Sequence, residues 1–428
     1  MFRLALAACF VVHALFCGPV TIAPDHAEDV GGCLLAGVKQ PRCRNNPRYP
    51  GSVPMMTRRT LLLTPLAAQS ARPKVAVVMN VYFPNSHADV FVGRLLGGYR
   101  LNHVSHRPRV QAVSFYVDQF PFNDMAREQA EEFGVAIYPD VAGALRRGAA
   151  KLSVDGVAIV GEHGNYPKNA RGNFTYPRFK RFEEVARVMK DDGRIVPVFF
   201  DKYFASEWED ARRIYDRVRE MKIPLFSGSS LPLTWRRPEL EFARGIELDE
   251  VLAVSFSDLE EHAYHAVELM QAMAERRKGS ETGVASIRCV EGEEVWKLDW
   301  SKDLLHQALS RRVNPGYGKE SGNPQAIQIR YRDGLKATVL NLDGMTRDYL
   351  FAARERNGRT HSSCFYIQLY NHNHWSFMVR AFEDLVLAKK TPHPIERNLL
   401  TTGLTIFALE SRLQGGKWLD TPQLGISY

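Results

Sequence analysis

From Lys74 to Gly228 the chain alternates between short apolar runs and longer amphipathic ones. The apolar runs lie at 74–82 (KVAVVMNVY), 110–118 (VQAVSFYVD), 135–138 (VAIY), 154–160 (VDGVAIV), 195–200 (IVPVFF) and 223–228 (IPLFSG). Between them, the periodicity predicts helices over 88–99, 124–133, 141–150, 178–191 and 207–221, with Asp140 and Ser206 placed as N-caps. A strand that is apolar at consecutive positions is buried on both faces, and helices that alternate with such strands supply the cover. The pattern predicts an α/β fold whose first half is a Rossmann-like, doubly wound parallel sheet.

The second half changes character. One amphipathic helix is predicted over 258–277, followed by long alternating segments: ASIRCVEGEEVWKL, AIQIRYRDGLKATVLNL and CFYIQLYNHNHWSFMVRAF. A period of two with turn residues between segments predicts an open, mostly antiparallel sheet. A last helix is predicted over about 395–413, stopped by Gly415-Gly416. LPLTWRRPEL (231–240) reads as a linker. Three parts follow: a leader over 1–71, a dinucleotide-binding-type domain over 72–231 and a substrate domain over 232–428.

Charge and cysteine content narrow the class. The net charge is +8, of which half lies in residues 1–71, so the body carries no electrostatic footprint for nucleic acid. No stretch is long and apolar enough to predict a stable membrane span. Cys289 and Cys364 are the only cysteines beyond residue 55, and no CxxC occurs. They are either one bridge or two unrelated buried thiols.

The leader carries two export-like segments. Arg3 with the apolar run 4–16 resembles a secretory signal, and Met55-Met56-Thr57-Arg58-Arg59-Thr60-Leu61-Leu62-Leu63 resembles a twin-arginine signal. Two in tandem serve no purpose, so the simpler expectation is a start at Met55 or Met56 and export to the periplasm through residues 56–71. The alternative is a chance Arg-Arg pair behind an ordinary signal.

Polar residues collect where strands end. Asn80, Asn85 and His87 follow the first, Asp118 ends the second, Glu162, His163 and Asn165 follow the fourth, and Asp201-Lys202 follows the fifth. Ligands of such sheets bind beyond the carboxyl ends of the strands, so these residues are predicted to meet in one crevice. On the helix 258–277, Glu261, His265 and Glu268 share a face, an arrangement suited to acid/base work or, more blandly, to solvation. His372 and His374 lack carboxylates or cysteines at ligand spacing and are expected in a turn.

These motifs resemble the glucose-fructose oxidoreductase / inositol dehydrogenase (Gfo/Idh/MocA) family. That family carries Glu-Lys-Pro where this chain has Asp201-Lys202-Tyr203, and Asp-x-x-x-His followed by Asp where it has Glu261, His265 and Glu268. Segments 126–140 and 395–422 are also similar. The resemblance implies an NAD- or NADP-dependent oxidoreductase of a sugar or polyol. Lys202 would bind the reacting hydroxyl, His265 would exchange its proton and Glu261 would orient His265. Tyr264 and Glu268 would lie against substrate. Asn80, Asn85, His87, Asp118, His163, Asn165 and Asp201 would line the cofactor, with Asp118 on a ribose, and the C-terminal sheet leaves room for a homo-oligomer. The chain departs from the family at its GxGxxG loop. Aligned on His87, the glycine positions are Met79, Val81 and Pro84, which removes the tight turn and close backbone approach that a pyrophosphate needs. The alternative is a non-redox descendant that binds carbohydrate, or a metal-assisted hydrolase or lyase using Glu162, His163, Asp201 and His265.

Overall fold

The computed structural model describes residues 71–428, apart from 258, 317, 319 and 320 and the side chain of Glu261. The twin-arginine segment and the rest of the leader lie outside the described residues.

In chain order the first half comprises β1 (Lys74–Met79), a hairpin of β2 (Tyr99–Leu101) and β3 (Val104–His106), then β4 (Gln111–Val117), β5 (Ala136–Tyr138), β6 (Gly156–Val160), β7 (Val198–Asp201) and β8 (Leu225–Gly228). The hairpin stands apart, and the other six form one parallel sheet in the order β5-β4-β1-β6-β7-β8. The strand order reverses between β1 and β6, the switch point at which such sheets open a crevice. Both faces are covered, as the continuous apolar runs require. Helices α1 (His87–Gly97) and α2 (Ala126–Phe133) lie on one face, and α3 (Val141–Arg146), α4 (Arg178–Asp192) and α5 (Trp208–Met221) lie on the other. Of the two expected N-caps Asp140 holds, but Ser206 does not: the N-cap position of α5 is Glu207, with no side-chain capping bond. Asp140 accepts the Gly143 amide at 2.6 Å, and Gly134 and Gly193 end α2 and α4 in the left-handed region.

The second half contains β9 (Arg236–Arg237), β10 (Leu248–Ser255), α6 (Leu259–Ala274), β11 (Val284–Glu291), α7 (Glu294–Lys297), α8 (Lys302–Leu309), β12 (Gln325–Tyr331), β13 (Lys336–Asn341), β14 (Tyr349–Glu355), β15 (Thr360–Phe365), α9 (Trp375–Ala388), α10 (Ile395–Leu413) and β16 (Leu419–Asp420). Its strands form an eight-stranded sheet, β16-β11-β12-β13-β10-β14-β15-β9, antiparallel except where β10 meets β13. One face packs on α6 and α10, and the other on α7 and α8.

Three expectations change, and one open alternative is decided. The segment 364–382 is not one alternating strand: β15 stops at Phe365, His372 and His374 fall in a turn, and α9 begins at Trp375. Trp375, Met378, Val379, Phe382 and Leu385 recur at helical spacing, and α9 buries them against the first sheet, on the face shared with α1. Residues 294–309 form two helices rather than a strand extension, with Ser301 capping α8. The linker contributes β9, which pairs with β15. Cys289 and Cys364 are unbridged, because they point into the cores on opposite faces of the second sheet.

Candidate functional site

Where β6 and β7 end, the backbone adopts an unusual conformation. His163 and Lys202 have φ of 63° and 61°, in the left-handed region that side chains with a Cβ disfavour. Other left-handed residues, such as Arg147, Lys222 and Lys389, simply terminate helices. His163 and Lys202 terminate no helix; both lie just beyond the carboxyl ends of sheet strands. Lys202 is pinned there by its amide, which donates to Gly228 O (3.2 Å), and by its carbonyl, which accepts from Ser227 Oγ (2.7 Å).

Lys202 lies at the floor of the crevice, 3% exposed, with Nζ 3.1 Å from Glu162 Oε2. Glu162 is buried too and is also paired with Arg178. Arg178 reaches down from the start of α4 and donates to the carbonyl oxygens of Asp201 (2.6 Å) and Tyr203 (3.3 Å). The carboxylate of Asp201 meets His87 Nδ1 at 2.7 Å. Burial works to protonate Asp201, but His87, Arg178 and Lys202 outweigh it and hold its carboxyl below the usual range. Its second oxygen, Oδ1, is buried with no hydrogen-bond partner among the described residues. A buried carboxylate oxygen left open is an acceptor available to a ligand hydroxyl.

The other wall comes from the strand after Lys202 and from α6. Gly228 ends β8, and the next residue, Ser229, holds His265 Nδ1 at 2.6 Å through Oγ. Burial, followed by Lys202, His262, His87 and His374, holds the His265 pKa well below its ordinary value, so the ring is neutral near pH 7. One turn on, Glu268 accepts from the Ser229 amide and from Asn398 Nδ2 (3.2 Å). Burial raises its carboxyl to about 8. Tyr203 Oη donates to Glu260 Oε1 (2.7 Å) in the first turn of α6, tying the Asp201-Lys202 strand end to that helix.

The turn from β1 into α1 is closed on itself. Ser86 Oγ accepts the amides of Phe83 and Asp89 (both 3.2 Å), and Asp89 Oδ2 accepts the amide of Asn85 (2.8 Å). Asn80 Nδ2 donates to the carbonyls of Gly161 (2.9 Å) and His163 (3.3 Å), joining two strand ends. Asp118 accepts from Tyr116 Oη (2.7 Å), Tyr166 Oη (2.5 Å) and Arg181. A helix N-terminus binds a phosphate through free amides and a field that favours negative charge. Here a carboxylate already accepts one of the turn's amides, and the candidate ribose carboxylate is taken by three side chains. The residues present do not fit a dinucleotide held through this turn and Asp118.

The structure thus brings Lys202, Asp201, His87, His163 and His265 together. Tyr264 and Glu268, expected against substrate, are fully buried beside His265 on α6. Asn85 and Asn165 sit at the rim, where the Asn165 amide donates to Gln119 Oε1 (2.8 Å). Glu261 lies one turn before His265 on α6. Arg178, Ser229 and Glu260 were missed. Ser229 was open to detection, since Gly228-Ser229 directly follows a sheet strand as Asp201-Lys202 does. Arg178 carried no comparable signal, because its role depends on the loop that swings α4 over the strand ends. Among the described residues no group of three or more His, Cys, Asp or Glu is placed to hold a metal ion.

No family model and no curated protein matches the chain in sequence. Its fold does have relatives among solved structures. A probable dehydrogenase from Thermotoga maritima superposes with a TM-score of 0.53 at 13% identity, covering 82% of this chain and 99% of that one. A putative myo-inositol dehydrogenase from Sinorhizobium meliloti gives 0.52 at 13%, covering 81% and 99%. GenD2 from gentamicin A biosynthesis, solved in complex with NAD, gives 0.52 at 14%, covering 86% and 99%. The chain therefore has the Rossmann-like dehydrogenase fold, a parallel six-stranded sheet followed by a mostly antiparallel one.

Proposed function

We propose that the protein is an enzyme of the dehydrogenase fold that acts on a sugar or polyol, handling the proton of one hydroxyl at Lys202 and His265. The observation that carries this is the pairing of a buried lysine with a neutral histidine across the crevice. Glu162 keeps Lys202 in place, and the Nζ protons would hydrogen-bond a substrate oxygen. Ser229 Oγ accepts the Leu231 amide (3.0 Å), and can also accept His265 Nδ1–H. That leaves Nε2 with its lone pair, able to take a proton. Asp201 Oδ1 would accept a neighbouring hydroxyl, a suitable role on a polyhydroxylated substrate. Such positioned proton transfer contributes about 10²–10⁴ in rate.

In an oxidoreductase the remaining half of the reaction is hydride transfer, for which NAD or NADP would be the acceptor. The fold favours that assignment. The closed β1–α1 turn favours a second one, a descendant that keeps the sugar site and its proton chemistry without a dinucleotide. Fluorescence titration of the purified protein with NADH and NADPH separates them. Saturable binding at micromolar concentrations supports the oxidoreductase, whereas intact protein that binds neither supports the descendant. Turnover or binding of sugars undiminished in Lys202→Met would overturn both. We further propose that the twin-arginine segment at 56–71 exports the protein to the periplasm; finding it only in the cytoplasmic fraction would refute that.

A further inference from the structure

A second cleft, of about 350 Å³, lies where the β2–β3 hairpin, the Trp235–Arg237 segment and the 368–373 loop meet. Arg100 and Arg237 reach it from different elements, and no Asp or Glu is among its lining residues. Arg100 donates only to the carbonyl of His103 (3.4 Å), and Arg237 lies over the Tyr366 ring at 3.6 Å. Neither meets a carboxylate among the described residues. The groove between α4 and α5 differs, because Glu183, Glu184 and Asp191 lie among its cations and Arg217 is paired with Glu183 (3.5 Å). Arg100 and Arg237 are both exposed at the cleft, so each planar guanidinium keeps N–H donors available to an anion.

The other lining groups describe the rest of the ligand. Trp235 is fixed by its indole N–H, which donates to Asn102 Oδ1 (2.8 Å), and by an edge contact with Phe377 at 4.8 Å. A held indole offers a flat face to a sugar ring. Gln368 Oε1 is buried with no hydrogen-bond partner among the described residues, an acceptor available to a hydroxyl. Arg94 braces the loop by donating to Asn371 O (2.6 Å) and Asn373 Oδ1 (3.5 Å). The anion, the flat platform and the spare acceptor belong to one chemical class. We infer that this cleft binds a hydroxylated anion, a sugar acid or a sugar phosphate, through Arg100 and Arg237.

The site is independent of the chemistry at Lys202, and the test keeps the two apart. Calorimetric titration of the full protein with glucuronate, glucose 6-phosphate and neutral glucose should show binding of at least one anion. Which of the two binds identifies the anion. Glucose should bind at least about tenfold more weakly, and raising salt should weaken the anion, as expected for exposed charges. The double variant Arg100→Ala/Arg237→Ala should lose at least about tenfold in affinity, with its melting temperature confirming the fold. Lys202→Met should leave this binding intact. Equal affinity for glucose, unchanged affinity in the double variant, or no binding of either anion would overturn the proposal.

Discussion

The two ends of the crevice, built on one sheet, follow opposite rules. At the β1–α1 end the protein itself satisfies Ser86 and Asp89 through backbone amides and Asp118 through two tyrosines and an arginine, while Tyr82 Oη is buried without a hydrogen-bond partner among the described residues. At the β7–β8 end, left-handed strand ends, a buried lysine, a neutral histidine and an open carboxylate oxygen remain poised for something not in the chain. Satisfied polar groups rigidify, while buried groups left open indicate a partner. One fold thus carries two unlike ends, one closed on itself and one with open buried groups.

The largest effect should come from the elaborated end. Lys202→Met and His265→Gln are each expected to lower turnover or sugar affinity by about 10²–10⁴, with near-ultraviolet dichroism unchanged. If either variant works normally, the contrast between the ends has no functional content. Next comes Gly228→Ala. Gly228 has a φ of 123°, and an added Cβ would run into the Glu268 carboxyl. Overpacking together with the unfavourable backbone should cost about 2–4 kcal/mol, read by urea unfolding. A variant of wild-type stability would show that the Ser229–Glu268 contact is looser than described.

The fold was legible because burial on both faces writes itself into consecutive apolar residues, as in GVAIV of β6. The positions of Lys202 and His265 beside the crevice were legible because strand ends and helix faces are local patterns. Arg178 and the commitment of Asp118 were not, since both depend on where the loop 161–177 carries Tyr166 and α4. The helix α9 was misread for a related reason. The run CFYIQLYNHNHWSFMVRAF mixes both periodicities, and only the first sheet's uncovered face decides in favour of a helix after His374.

Asp118 gives a direct way to break the comparison at the closed end. If the carboxylate is structural, Asp118→Asn should weaken its bonds with Arg181 and the two tyrosines and cost about 1–3 kcal/mol of stability. Whatever affinity the protein has for NADH or NADPH should be the same in variant and wild type. A selective loss of dinucleotide binding would return Asp118 to the ribose and reopen the closed end.

A pH-dependent effect sharpens the elaborated end. Burial raises the Glu268 carboxyl from 4.5 to about 8, so the folded protein holds this proton at pH values where the unfolded chain has lost it. The associated stability is therefore fully present below about pH 4.5 and is lost as pH rises through 8, at roughly 1.4 kcal/mol per pH unit between them. Glu268→Gln copies the neutral form and removes the titration. Relative to wild type, the variant should gain melting temperature steadily from pH 5 to pH 8, then hold a constant difference. Parallel curves would mean that Glu268 is ionised throughout. The segment under Ser229 and His265 would then carry a fixed negative charge, and the neutral histidine on which the proton chemistry depends would lose its support.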